Sequence, residues 1–187
     1  MMLDTLTHKV YSLIDPPNIE EILMSIENSE LTEDQQFEWT EYCSVKTERL
    51  DLMDTFFPLF GPSLEIFFSE LELDMSNLRV YCPEIWRNTY SRNYHQEIHD
   101  HIPSHLSGVL FLTDEQEGDG RFFFYNEGCT EVSREWREIG FGWDRKFIKA
   151  ERGKLLLFPS YMLHGVAAHK SDNIRKTVAF NLVFKTD

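Results

Sequence analysis

Apolar positions follow two different periods along this chain, and the change falls near residue 77. Upstream, Ile19, Ile22, Leu23 and Ile26 recur at helical spacing behind Asn18, which stands three residues before Glu21 as in a capping box. Gly61 and Pro62 then introduce Leu64, Phe67, Phe68 and Leu71, again on one helical face. Between these two predicted helices the stretch 37–50, with Phe37, Trp39, Cys43 and Val45, alternates loosely enough to predict one strand. Downstream the period becomes two. Short β-rich runs are predicted at 78–82, 84–90, 94–101, 106–113, 121–125, 154–158, 163–168 and 175–184, punctuated by Gly118, Gly120, Gly153 and Pro159. Short strands in such number suit an antiparallel sandwich or barrel, and a jelly roll is the natural candidate. The stretch 126–152 is too long for a hairpin turn, and its Trp136, Phe141 and Trp143 predict a cover.

The 187 residues support one sizeable core, so residues 1–187 read as a single domain. Within it, 1–76 is an acidic, largely helical support segment and 77–187 the jelly-roll core. The net charge of −14 divides at that boundary: the first segment holds 17 acidic and 3 basic side chains, the second 15 of each. Phosphate backbones draw on clustered Lys and Arg, so nucleic acid is disfavoured as main partner. The acidic segment instead predicts a basic peptide or protein surface docking beside it. Apolar runs stop well short of the roughly 20 residues of a membrane helix. The start MMLDTLTHK lacks the basic beginning and long apolar stretch of a signal peptide, so a cytoplasmic location is expected, the host cytoplasm if the protein is viral. Cys43, Cys82 and Cys129 form no CxxC pair and read as buried or idle thiols.

Chemistry concentrates in YHQEIHDHIPSH, which places His95, His99, His101 and His105 within eleven residues, and in His164 after KLLLFPS. On a strand, residues i and i+2 share a face, so His99 and His101 can reach one ion while Asp100 points away. A third ligand has to come from a distant strand, and His164 stands where a sandwich can return it. Glu97 shares the parity and is a rival carboxylate ligand, with His95 or His99 beside it.

The strings WRNTY, HDH, SGVLFL five residues after it, GKLLLFPSYMLHGV and RKTVAFN occur in that order over residues 84–184. In order and spacing they resemble the Fe(II)- and 2-oxoglutarate-dependent oxygenases, in particular the small ones of bacteriophages, cyanophages and marine bacteria. The resemblance implies a double-stranded β-helix of the cupin-like kind. It implies that His99, His101 and His164 bind Fe(II) and act as the catalytic centre with O2. It implies further that Arg175 pairs with the distal carboxylate of 2-oxoglutarate; a planar guanidinium suits a carboxylate because the two meet in paired charge-assisted hydrogen bonds. Thr177 lies two residues on, on the same strand face, and Asn88 and Tyr90 share a face upstream as candidate contacts from the other side.

Two departures stand out. Well-known members of the superfamily supply His-x-Asp, a two-histidine, one-carboxylate set, whereas this chain has a second histidine. Phe111 also stands where the pattern often has tyrosine, so that hydroxyl is missing here. Trp86, Trp136 and Trp143 are candidate pocket walls.

Three kinds of function are compatible with these residues. One is a 2-oxoglutarate-dependent dioxygenase that hydroxylates a protein side chain or small molecule and releases succinate and CO2. Another is a three-histidine cupin-type iron dioxygenase without 2-oxoglutarate, in which Arg175 and Thr177 have no cosubstrate to hold. The last is a non-enzymatic jelly-roll module that keeps a metal for structure.

Overall fold

A computed structural model describes residues 9–29, 31–40, 43–128, 133–140 and 144–186, with the backbone alone for 31–40, 43 and 44. In chain order the elements are β1 (Ser12–Ile14), α1 (Ile19–Asn28), β2 (Leu31–Thr40), β3 (Cys43–Leu50), α2 (Phe56–Glu70), β4 (Leu78–Tyr90), β5 (Gln96–His99), β6 (Leu106–Phe111), β7 (Phe122–Tyr125), α3 (Arg134–Glu138), β8 (Arg145–Ile148), β9 (Leu155–Pro159), β10 (His164–Val166) and β11 (Arg175–Thr186). They build a seven-stranded sheet, β1-β9-β6-β11-β4-β3-β2, facing a four-stranded sheet, β5-β10-β7-β8. The pairings are antiparallel. This is the predicted mainly β jelly roll, the double-stranded β-helix, with N-terminal helices.

The central strands β6 and β9 are buried on both faces, which explains why they read as nearly continuous apolar runs. On the large sheet's outer face Val178, Phe180 and Leu182 of β11 join Ile85, Leu110, Leu155 and Leu157 beneath the helices. On its inner face Trp86, Tyr90, Val109, Phe111, Leu156, Phe158 and Ala179 meet Phe122, Phe124, Ile148 and Val166 from the small sheet. The inner positions of β11 are Arg175, Thr177, Ala179 and Asn181, so the period of two puts its polar residues inside the sandwich. Gly108 pairs with Phe180 across β6 and β11, and a β-carbon at Gly108 would lie 2.2 Å from the Phe180 ring, so that ring needs a glycine opposite it. Two of the sequence strings, SGV and AFN, thus share one packing contact.

The N-terminal part departs from the largely helical expectation. Its helices are α1 and α2, but β1, β2 and β3 add three strands to the large sheet, and the single strand expected over 37–50 is a hairpin. The edge of β4 from Trp86 to Thr89 takes β3 as its partner, and Val45 and Thr47 are buried there. The second helix begins at Phe56, not at Gly61, and carries Pro62 inside it. An interior proline costs about 3 kcal/mol. Burying Phe56, Leu59 and Phe60 offsets this, each side chain contributing roughly 1.5–3 kcal/mol. Asn18 makes no capping hydrogen bond; its side-chain amide donates to the Leu59 carbonyl at 3.0 Å and ties α1 to α2.

The predicted runs 78–82 and 84–90 are one strand, β4, with a register shift opposite Asn181–Val183. Pro83 falls at that shift, where β4 has no pairing with β3 and a missing N–H leaves no gap in the ladder. Within 126–152 the structure has α3 and β8, and β8 pairs with β7 to finish the small sheet. None of its described residues lines the cavities around the histidines, and Trp136 is 54% exposed. Trp143, Phe141 and Cys129, and the side chains of Phe37, Trp39 and Cys43, lie outside the described residues. Cys82 is buried, and burial pushes its thiol up to about 12, as expected of an inert thiol. Among the described residues no helix is long and apolar enough to cross a membrane.

Candidate metal centre

The small sheet brings the three histidines together. β5 and β10 pair with His99 opposite His164, and His101 follows β5 in a loop whose backbone N–H donates to the Ser160 carbonyl at 2.9 Å. One ring nitrogen from each of His99, His101 and His164 lies within 4.8 Å of the others. The His101 and His164 Nε2 atoms are 3.2 Å apart. With metal–nitrogen bonds of about 2.1 Å, that separation matches two ligands on one ion at about 100°.

Protonation favours ligation at His99 and His164. His99 Nδ1–H donates to the Glu97 carbonyl at 2.7 Å and His164 Nδ1–H to the Met162 carbonyl at 2.8 Å, which leaves Nε2 of each with its lone pair inward. Burial lowers the pKa of all three, His101 to about 3, so each ring is neutral at pH 7. His101 Nδ1 lies 3.2 Å from the Asn181 amide, which also contacts Ser107 at 2.8 Å and Glu84 at 2.7 Å. The orientation of that amide decides which His101 nitrogen keeps the proton.

Glu97 is not part of the cluster. The β5–β10 register shifts between His99 and Gln96, so Gln96 lines the cavity with His99, and Glu97 contributes its backbone carbonyl to the His99 ring. His105 is not part of the cluster either, accepting the Phe184 N–H at 3.2 Å and stacking on that ring.

The cavity beside the histidines is also lined by Arg175, Thr177, Asn88 and Tyr90. Arg175 is 2% exposed, and neither terminal guanidinium nitrogen has a hydrogen-bond partner. Its guanidinium carbon sits 4.7 Å over the Tyr90 ring and 5.9 Å from that of Phe111. Tyr90 in turn donates to Gln96, and Asn88 accepts from Thr47 at 2.9 Å. Burying a cation whose two terminal nitrogens lack hydrogen-bond partners is costly, and an anion in the pocket would offset that cost. The pocket's volume is about 20 Å³, room for about one water molecule. Trp86 lines it, as expected.

Sequence reasoning missed Asn181, Gln96 and the support under Arg175. Asn181 was legible from its parity with Arg175 and Thr177. The support joins two loops. His169 is fully buried; its Nδ1 accepts the Gly120 N–H at 3.0 Å, so the proton stays on Nε2 and goes to the Asn173 carbonyl at 2.6 Å. Ser171 donates to Asp119 at 2.6 Å and lies 3.1 Å from His169 Nε2. The trio has the members of a nucleophilic triad but not its chemistry, because the ring nitrogen facing the serine already carries hydrogen and cannot accept the serine proton. It is a brace that fixes residues 169–173, immediately before Arg175.

One cavity of this jelly roll thus brings together three neutral imidazoles, spaced so that they could hold a metal ion, and a buried guanidinium whose two terminal nitrogens lack hydrogen-bond partners. Residues 84–181, more than half of the chain, match the family described as "Putative 2OG-Fe(II) oxygenase", and the protein belongs to that family. It is a 2-oxoglutarate-dependent non-haem iron oxygenase that works with Fe(II), 2-oxoglutarate and O2. No curated protein matches the sequence. Among solved structures, a 2OG-Fe(II) oxygenase family oxidoreductase from Burkholderia pseudomallei is similar with a TM-score of 0.63 at 11% identity, covering 88% of this chain and 78% of that one. The α-ketoglutarate-dependent epimerase SnoN of nogalamycin biosynthesis gives 0.63 at 13% identity over 94% and 78%. A Pseudomonas putida prolyl-4-hydroxylase gives 0.55 at 12% identity over 93% and 92%. At these identities the likeness establishes the fold.

Proposed function

We propose that His99, His101 and His164 hold Fe(II), that Arg175 with Thr177 holds the distal carboxylate of 2-oxoglutarate, and that the enzyme hydroxylates a C–H bond of a protein side chain or small molecule. The observation that carries this is Arg175: a fully buried cation whose two terminal nitrogens lack partners, on the same cavity as the histidines. The residues fit the absent groups. Three neutral nitrogen donors suit a divalent metal, and they leave its charge to be offset by a dianion.

When bound there, Fe(II) and 2-oxoglutarate would supply the oxidative chemistry that turns O2, the cosubstrate and a substrate C–H bond into succinate, CO2 and the hydroxylated substrate. The chain supplies the geometry. Glu97 and Met162 carbonyls fix two ligand tautomers, Asn181 orients the third ring, and Tyr90 holds the guanidinium plane against its own ring. Phe122, Phe124 and Phe158, packed around His164, keep water from the centre. Phe111 offers no hydroxyl, and the Tyr90 phenol, on β4 two strands away from β6, donates to Gln96. The test is Arg175→Ala with both ligands titrated separately: metal affinity is retained and 2-oxoglutarate binding is severely weakened. Equal 2-oxoglutarate affinity in the variant contradicts the assignment.

A further inference from the structure

A second cavity, of about 380 Å³, opens on the other side of His101 and Trp86 from Arg175. Its walls carry charge of both signs. Arg49 of β3 lines it and makes no ion pair or hydrogen bond among the described residues. The neighbouring Glu48 cannot neutralise Arg49, because it projects from the opposite face of β3 and is held by Arg87 at 2.7 Å and Lys46 at 2.8 Å. Glu84 and Asp100 line the same cavity. Each has one oxygen engaged, Glu84 with the Asn181 amide and Asp100 with the Ile102 N–H, and the second free among the described residues. Trp86, Ile102 and Pro103 supply the apolar wall, and His101 forms the floor.

The strand register sets the spacing of these charges. Arg49 stands directly opposite Trp86, and Glu84 is two residues along β4 from Trp86, on the same face. With strands about 4.8 Å apart and a rise of about 3.4 Å per residue, the two α-carbons are about 8 Å apart. Both side chains are long enough to converge on neighbouring atoms of one small ligand. An anion alone would meet two carboxylates here, and a cation alone would meet the guanidinium. A ligand carrying both charges on adjacent atoms satisfies the walls at once.

We propose that this cavity binds a free amino acid, its carboxylate on Arg49, its ammonium on Glu84 and its side chain along Trp86 towards the metal ligands. The assignment of that amino acid as the hydroxylated substrate rests on the oxygenase reading above; its binding does not. An internal residue of a protein carries neither charge, so the proposal separates a free amino acid from a protein side chain.

The proteinogenic amino acids are screened singly at about 5 mM, a concentration that detects millimolar affinity, by saturation-transfer NMR on metal-free protein. At least one amino acid is expected to bind, and its N-acetyl and methyl-ester derivatives to bind at least about tenfold more weakly. Arg49→Ala, a substitution at an exposed position, is expected to weaken binding by about ten- to a hundredfold, the loss of a hydrogen bond between charged groups. In iron- and 2-oxoglutarate-loaded wild-type enzyme the same amino acid should raise succinate release. No binding by any amino acid, equal binding of the capped derivatives, or unchanged binding in Arg49→Ala overturns the proposal. Binding without an iron and 2-oxoglutarate charge-transfer band would leave the amino-acid site standing and remove the oxygenase assignment.

Discussion

Replacing His169 by alanine removes the ring that joins the two loops in front of Arg175. The wild-type ring satisfies one buried backbone group, the Gly120 N–H at 3.0 Å, and also meets the carbonyl of the exposed Asn173 at 2.6 Å. A buried polar group left without a partner costs about 1–3 kcal/mol, and the cavity left by the fully buried ring adds to it, which places the predicted stability loss at about 3 kcal/mol. For a chain of this size that lowers Tm by about 6–12 °C. The functional consequence follows from chain position, since Asn173 is two residues from Arg175, whose guanidinium must stand where a carboxylate meets both terminal nitrogens. An angstrom of drift there should weaken 2-oxoglutarate by about tenfold, while metal affinity, which depends on residues of β5, the loop after it and β10, stays within about twofold. Urea denaturation gives the first quantity and anaerobic 2-oxoglutarate titration the second. A stability loss below about 0.5 kcal/mol, the range of ordinary surface substitutions, would refute the brace. Full stability loss with unchanged 2-oxoglutarate affinity would refute its role in positioning Arg175.

Phe60→Ala, which empties the contact of α2 with Phe180 at 5.0 Å, should cost about 3–5 kcal/mol in urea denaturation and leave metal affinity alone. Gly108→Ala forces a methyl into the Phe180 ring and should destabilise by about 1–3 kcal/mol or more, measured the same way. The three histidines have folded-state pKa values below the ordinary 6.5, His101 at about 3. Between those limits the unfolded chain binds more protons, so metal-free stability should fall as pH drops below about 6.5, with a slope for His101 approaching about 1.4 kcal/mol per pH unit. A thermal-melt series flat from pH 7 to 5 would contradict this. Fe(II) or Ni(II) at a hundred times its dissociation constant should add about 2.7 kcal/mol of stability, removed by a chelator and absent in His164→Ala.

Much of the fold and site was legible because it is periodic. The i, i+2 rule paired His99 with His101 and Arg175 with Thr177, and the alternation after residue 78 gave most strands of both sheets. What escaped depends on partners remote in sequence. β8 is four residues long, three of them exposed, and carries no alternation to read. The β2–β3 hairpin looked like one strand because its turn has no glycine or proline. α2 was cut short because Pro58, Gly61 and Pro62 are helix-breaking signals, overruled here by the burial of Phe56 and Phe60. Glu97 looked like a ligand because parity assumes an unbroken strand, and the register shift in β5 breaks it. Asp119, His169 and Ser171 lie on loops, where no period exists, and only the folded chain shows that they meet.

The most direct measurement is an anaerobic titration of Fe(II) and then 2-oxoglutarate into metal-free protein, followed in the visible region, for wild type, His101→Ala and Arg175→Ala. A charge-transfer band should develop in wild type at one equivalent of each. Arg175→Ala should bind iron and develop the band only at far higher 2-oxoglutarate, and His101→Ala should bind iron poorly. Iron bound to wild type with no band at saturating 2-oxoglutarate would contradict the account at its centre.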